Sequence, residues 1–309
     1  MNHTVLKVTD RTLEEMKKHY AGSATGKLPT GAVFSAKTTN CSITGYRSGK
    51  VLFQGTGAGT EAARWSGETT AAPSKKKKTA ANTLPAGFHS LSVIGSDEVG
   101  TGDYFGPITV VAAFVKKEQI APLQAIGVQD SKNLTDSQII NLAKQIVKTV
   151  PYSLLILKNE KYNELQMQGM SQGKIKALLH NQALIKLHEK VSPDRPEAVL
   201  IDQFAEKTTY YRYLKEQKRI FQKNVYFSTK GESVHLAVAA ASIIARYAFV
   251  KEMDKLSKEA GFTIPKGAGS QVDVAAARLI QEKGEEALLH FTKRHFANTE
   301  KAKRLSKRI

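Results

Sequence analysis

The sequence predicts a small α+β unit followed by a larger α/β unit built on a mixed sheet, and three observations carry that prediction. Residues 69–85 read TTAAPSKKKKTAANTLP, a stretch without apolar periodicity that divides the chain. Beyond it, short β-rich apolar runs alternate with helix-like segments, the pattern of β-α-β units. Two of those runs, Val93-Ile94-Gly95-Ser96 and Ala198-Val199-Leu200-Ile201, end in carboxylates. The 309 residues are 41% hydrophobic and 24% charged, enough for a sizeable core, which excludes wholesale disorder, collagen and coiled coil. The single cysteine, Cys41, excludes an intramolecular disulfide and a cysteine-rich zinc site.

In the small unit, set at residues 1–72, Leu13–Tyr20 reads as a short helix. Two β-type runs follow, Ala32–Tyr46 and Lys50–Gln54, joined at Arg47-Ser48-Gly49 as a hairpin. Alternation along the first run sends Thr38, Asn40, Ser42 and Thr44 to one face, while Val51 and Phe53 can cover a core. That polar face is either an ordinary solvent-facing surface or one that reads a duplex, and Lys37, Tyr46, Arg47 and Lys50 beside it argue for the second. Residues 73–84 form the linker, whose Lys75–Lys78 block reads as a solvated spacer rather than a dedicated phosphate clamp.

The larger unit, residues 85–309, opens with Leu91–Ser96 and Ile108–Val115, two β-rich runs separated by a glycine-rich turn. Tyr152–Leu157 is a third run. Helix-like segments at Lys174–Glu189, Tyr210–Lys218 and Val234–Leu256 accompany strand candidates Ala198–Ile201 and Val225–Ser228. Two adjacent strands joined by a short turn and then β-α-β units make the sheet mixed. The tail from Lys293 to Ile309 holds seven Lys or Arg against one Glu, a helix that either rests on phosphates or is solvated surface.

Lys and Arg number 46 against 28 Asp and Glu, a net charge of +18. A surplus of this size concentrates polyanions, so nucleic acid is the expected partner ahead of an anionic membrane. Residues 1–84 hold 13 Lys and Arg against 5 Asp and Glu, which gives the small unit an electrostatic job. The most apolar stretch, Leu236–Ala245, is about half the length that spans a bilayer, and the N-terminus lacks a basic region followed by an apolar core. The expectation is a cytoplasmic monomer without membrane attachment or small-molecule cofactor.

Asp97 and Glu98 end one strand and Asp202 ends another. Alternation points Asp97 and Glu98 to opposite sides, unless a twist or bulge at the strand's end brings both toward one edge. Carboxylates at neighbouring strand ends repel one another without a divalent cation, and hard oxygen donors suit Mg²⁺ or Mn²⁺. Asp202 alone also reads as a helix cap or turn residue. Gly100, Gly102 and Gly106 miss the dinucleotide fingerprint, and no P-loop lysine follows. The glycines instead allow backbone to approach a bulky polymer. His235, His290 and His295 lack ligand spacing with one another and read as packing or surface groups.

These residues carry a family resemblance. Asp97-Glu98-Val99-Gly100 with Gly102 and Gly106-Pro107 resembles the opening motif of the type 2 ribonucleases H. Further matches follow in order: Asp130-Ser131-Lys132-x-Leu134, Ile201-Asp202, Lys230-Gly231-Glu232, Ala240-Ala241-Ser242-Ile243-Ile244-Ala245, and Gly261-Phe262 with Lys266-Gly267. They span the larger unit. The N-terminal extension and Glu232, where ribonuclease HII has aspartate, are similar to the ribonuclease HIII branch.

The resemblance implies an RNase H-like fold in which Asp97, Glu98, Asp202 and Glu232 are catalytic and ligate or position two Mg²⁺ or Mn²⁺ ions. It implies cleavage of the RNA strand of RNA/DNA hybrids, giving 5′-phosphate and 3′-hydroxyl ends. One ion would activate the attacking water and the other stabilise the leaving 3′ oxygen. The N-terminal unit is similar to half of a TATA-box-binding protein, which gives the face of Asn40, Ser42, Tyr46 and Lys50 a duplex to grip. Substrate contacts are expected from Gly100, Thr101 and Gly102 and from Ser131, Lys132 and Asn133, although the last three also read as a cap for a helix beginning near Thr135. Two departures from ribonuclease HII stand out: Thr101 replaces a basic residue, and Ala268 replaces a tyrosine. In the relatives those side chains help sense a ribonucleotide-to-deoxyribonucleotide junction, so the expected substrate is a run of ribonucleotides rather than a single embedded one. The rivals are a non-catalytic duplex binder, which gains nothing from an acidic cluster facing a polyanion, and a structure-specific DNA endonuclease on the same fold.

Overall fold

The structure, a computed structural model, describes residues 3–26, 28–29, 31–65 and 84–307; the Lys75–Lys78 block and residues 73–83 of the linker lie outside them. The chain divides into two compact units, Met1–Ala81 and Asn82–Ile309.

The first unit runs β1 (His3–Lys7), α1 (Asp10–His19), β2 (Ala32–Lys37), β3 (Ser42–Tyr46), β4 (Lys50–Gln54) and α2 (Ala58–Ala63). Thr9 caps α1 by accepting from the backbone N–H of Thr12. The strands form an antiparallel sheet in the order β1-β4-β3-β2. One face buries Ala36, Ile43, Val51 and Phe53 against Leu13 and Met16 of α1. The opposite face sets Lys7 directly across from Lys50 and Lys37 across from Ser42. Like charges directly opposite cost stability in a sheet unless an anion offsets them.

One expectation is corrected here. The run Ala32–Tyr46 is two strands, because the chain turns at Thr38–Cys41. The Thr38 N–H donates to Cys41 O at 2.9 Å and the Thr38 hydroxyl to the same oxygen at 3.1 Å. Thr38 and Asn40 therefore leave the sheet, and the Asn40 carbonyl accepts from Gly57 N–H at 3.0 Å. Ser42, Thr44 and Tyr46 keep the parity read from the sequence, with Lys37 replacing the two lost members.

The second unit runs β5 (Val93–Val99), β6 (Ile108–Val115), α3 (Ile120–Ala125), α4 (Asp136–Thr149), β7 (Tyr152–Leu157), α5 (Asn159–Met167), α6 (Gln172–Lys190), β8 (Ala198–Asp202), α7 (Lys207–Leu214), β9 (Val225–Ser228), α8 (Leu236–Ala260), α9 (Ser270–Lys283), α10 (Ala287–Phe291) and α11 (Asn298–Ser306). The sheet order is β7-β6-β5-β8-β9, antiparallel on the β7 side of β5 and parallel on the β8 side. Three of its strands, β6, β7 and β9, have the limits read from the sequence. The α7 helix stops at Leu214 rather than Lys218, and α3, α5, α9 and α10 were not expected. No helix among the described residues is long and apolar enough to cross a membrane.

The sheet lies between two layers. Val93, Val111, Ala113 and Leu200 pack on α3, α4 and α8, while Ile94, Val110, Ala112 and Val199 pack on α5, α6 and α7. Small residues from Ala237 to Ala245 let α8 lie almost on the backbone of β5. A Cβ at Gly95 would sit 2.2 Å from Ala237 C and Val238 N, so glycine is required there. A third cluster joins the second half of α8 to α9, α10 and α11 and buries Tyr104 and Phe105, which anchors the glycine-rich turn after β5.

Candidate active site

Strand β5 outruns its parallel neighbour. The last β5–β8 pair is Ser96↔Ile201, but β5 continues beside β6 through Asp97↔Val111 and Glu98↔Val110 to Val99↔Thr109. The register is continuous, so no bulge interrupts the end of β5. Strict alternation prevails: Asp97 shares the α8 face with Asp202, while Glu98 shares the α6 face with Ser96. Glu232 arrives from a tight turn before α8, in which Lys230 takes a left-handed φ of 60°. The Gly231 N–H donates to Asp202 Oδ1 at 2.7 Å, tying that turn to the end of β8.

Asp97 is buried, 6% exposed. It accepts from the Glu98 N–H at 2.8 Å and from the Ser242 hydroxyl. Ser242 meets Ser131 Oγ at 2.9 Å, and the Ser131 N–H donates to Glu232 Oε2 at 2.6 Å. Burial, then the charges of Glu98, Asp202 and Glu232, push the Asp97 carboxyl well above its ordinary range. Burial also raises Glu232, helped by the Asp130 charge and opposed by the Ser131 N–H and by Lys132, whose Nζ is 3.7 Å from Glu232 Oε1. For Glu98 burial is outweighed by the hydrogen bond and positive character of His180 and the charge of Lys176, which hold it below the usual carboxylate range.

Among the described residues no group of three or more His, Cys, Asp and Glu side chains is arranged to ligate a metal. The donor chemistry nevertheless fits Mg²⁺ or Mn²⁺. All four candidates are hard oxygen donors, and the buried Asp97 lies in the field of the other three with no cationic partner of its own within ion-pair distance among the described residues.

Around this cluster the predicted substrate residues separate. Gly100 has a φ of 95°, and a Cβ there would meet Pro107 O at 2.2 Å, so folding alone requires it. Gly102 has open space around it and an ordinary φ, so folding does not explain it. The Thr101 carbonyl accepts from Gln172 at 3.0 Å. Ser131 is buried, with its N–H, hydroxyl and carbonyl all used within the protein. Lys132 and Asn133 are exposed. The cap of α4 is Thr135, in a capping box with Gln138. Asp130, Asn133 and Glu232 border an open cavity of about 600 Å³. His235 caps α8 through Nδ1, and His290 sits between Glu160 and Glu259. Sequence reasoning missed Lys176 and His180, which α6 brings to Glu98. Their only sequence signal is polarity on an otherwise apolar helix face.

Residues 94–299 match the family model described as ribonuclease HII, and residues 3–78 match a domain of unknown function. Ribonuclease HIII of Bacillus velezensis is 61% identical over 100% of this chain and 99% of its own length. The Bacillus subtilis protein of the same name is 58% identical over 99% of this chain and 98% of its own. A crystal structure of Bst-RNase HIII in complex with Mn²⁺ is similar at a TM-score of 0.72 and 47% identity, covering 100% of both chains.

The raised Asp97 pKa has a consequence for stability. Between its unfolded and folded values the folded state binds a proton that the unfolded chain has released, so stability falls as pH rises through that window. Asp97→Asn should therefore stabilise the metal-free protein at neutral pH, by on the order of 1 kcal/mol, with the gain vanishing in acid below the unfolded value. Urea unfolding in chelator at both pH values checks this, and a variant no more stable at neutral pH contradicts it.

Proposed function

The chain belongs to the ribonuclease HIII branch of the ribonuclease HII family, and from that premise we propose that this metal-dependent ribonuclease H is an endonuclease cutting the RNA strand of RNA/DNA hybrids. The products would carry 5′-phosphate and 3′-hydroxyl ends. The observation that carries this reading is the sheet end itself, where Asp97 is buried in the field of Glu98, Asp202 and Glu232. A pure duplex binder has no use for such a cluster facing a polyanion. Bound Mg²⁺ or Mn²⁺ would neutralise it, activate the attacking water and stabilise the leaving 3′ oxygen.

The side chains divide the work. Asp97 and Asp202, on one face of the sheet, hold the charge-neutralising cations, and Glu98 contributes from the other face. Glu232, its Oε2 fixed by the Ser131 N–H, orients the attacking water. Lys132, 73% exposed along its side chain, offers an ammonium to a backbone phosphate. The bare backbone at Gly102 allows close approach of ribose 2′-hydroxyls. The exposed face of the N-terminal sheet, with Lys7, Lys37, Ser42, Tyr46 and Lys50, supplies affinity for the duplex.

Asp97→Asn and Asp202→Asn should each abolish cleavage of a hybrid while leaving its binding in metal-free buffer intact or tighter; full activity in either variant removes the assignment. Substrates of RNA/DNA, duplex DNA and duplex RNA separate this reading from its rivals. Specificity follows from Thr101 and Ala268, which lack the long basic and phenolic groups that sense a junction. Each backbone contact to a 2′-hydroxyl is worth about 1 kcal/mol, so several consecutive ribonucleotides are needed. Cleavage should rise steeply with ribonucleotide number in an otherwise identical duplex, with little at one; equal rates for one and many contradict it. For the N-terminal face, Lys37→Ala with Lys50→Ala should lower the salt slope of hybrid binding by about 1–2. An unchanged slope would assign those lysines to solubility alone.

A further inference from the structure

Glu98 is held on both oxygens. Lys176 Nζ donates to Oε1 at 2.8 Å, and His180 Nε2 lies 2.8 Å from Oε2. Both donors come from α6, one turn apart, and they reach Glu98 because β5 keeps strict alternation. Ser96, two residues earlier on the same face, meets the other ring nitrogen, His180 Nδ1, at 2.7 Å. The imidazole is fully buried, and the Phe204 ring stacks on it at 5.0 Å with an interplanar angle of 30°. The same ring lies 4.3 Å below the Lys176 ammonium. Every edge of the imidazole is therefore fixed: one nitrogen by Ser96, one by Glu98, and a face by Phe204.

We propose that His180 is a positioning residue that sets the orientation of Glu98 toward the divalent cation, with Ser96 setting the orientation of His180. The inference rests on the reading of Glu98 as a cation ligand. An ionised carboxylate only accepts, so His180 Nε2 carries a hydrogen and Glu98 has one rotation about its terminal bond that satisfies it. A glutamate has three rotatable bonds, and leaving them free would spread its oxygens over many positions. Donors that fix a ligating carboxylate change metal affinity by roughly 10–100-fold when removed. Lys176, more flexible and 13% exposed, adds charge to the same end, whereas His180 adds direction.

The test reads metal binding without nucleic acid. Free Mn²⁺ is followed by electron paramagnetic resonance as the full-length protein is titrated, alongside hybrid binding in chelator. His180→Leu keeps the volume and removes both polar contacts; its Mn²⁺ affinity should fall roughly 10–100-fold, while hybrid binding in chelator stays within about twofold. His180→Gln, which retains an amide donor, should recover most of the loss, a rescue that a purely structural role would not give. Ser96→Ala leaves His180 in place and should weaken Mn²⁺ several-fold, which keeps the test decisive if His180→Leu does not fold. Wild-type Mn²⁺ affinity in folded His180→Leu, or in Ser96→Ala, overturns the proposal when Asp202→Asn loses affinity in the same assay. Wild-type affinity in Asp202→Asn as well would overturn the metal reading beneath it.

Discussion

The constraint on which the rest depends is the burial of Asp97 among like charges. A carboxylate that is 6% exposed and lies in the field of three others is costly in the protein alone. The surrounding architecture holds it there. Gly95 admits the backbone of α8, which brings Ser242 to Asp97. Ser131 links Ser242 to Glu232, and Gly231 links the same turn to Asp202. The loop before α4 is fixed in turn, since Arg246 donates to Ser131 O at 2.5 Å and to Asp136 at 2.9 Å. Asp136 also pairs with Lys266, and the Gly267 N–H donates to Asp103 at 2.6 Å, so the three loops around the cluster share one polar network. Structural stability is spent here to hold a buried Asp97 in the field of Glu98, Asp202 and Glu232, the usual relation between a functional site and its fold.

The two faces of the sheet treat their acids differently. On the α8 face burial and the charges of other carboxylates raise the pKa of Asp97 against the opposing hydrogen bond from Ser242. On the α6 face Glu98 meets Lys176 and His180, and its pKa falls. Adjacent residues thus titrate in opposite directions because strand alternation hands them to different layers. This pairing of a reluctant and a willing carboxylate is what separates the site from a simple acidic patch.

Much of this was legible in the sequence, and the exceptions have physical reasons. Apolar runs made β6, β7 and β9 readable to their ends, although only the central β6 is buried throughout and the edge strands β7 and β9 are partly exposed. The acids Asp97 and Asp202 were visible because each follows such a run. The turn at Thr38–Cys41 was missed because it contains neither glycine nor proline and closes through the Thr38 hydroxyl. Helix α5 carries polar residues over most of its surface, so no apolar stripe announces it. His180 and Lys176 lie 82 and 78 residues from Glu98, and only the packing of α6 on the sheet brings them there. Ser131 reads as a phosphate contact or a helix cap, and local sequence cannot show that its hydroxyl turns toward Ser242.

Under the proposed function the end of β5 is a cation site nucleated by Asp97 and Asp202. It is tested most directly by anomalous diffraction from crystals of the full-length protein soaked in Mn²⁺. Anomalous density is expected at carboxylate oxygens of both Asp97 and Asp202, and is expected to be absent from crystals of Asp97→Asn. Density confined to other acidic groups, or none at the end of β5 in well-ordered crystals, would contradict it.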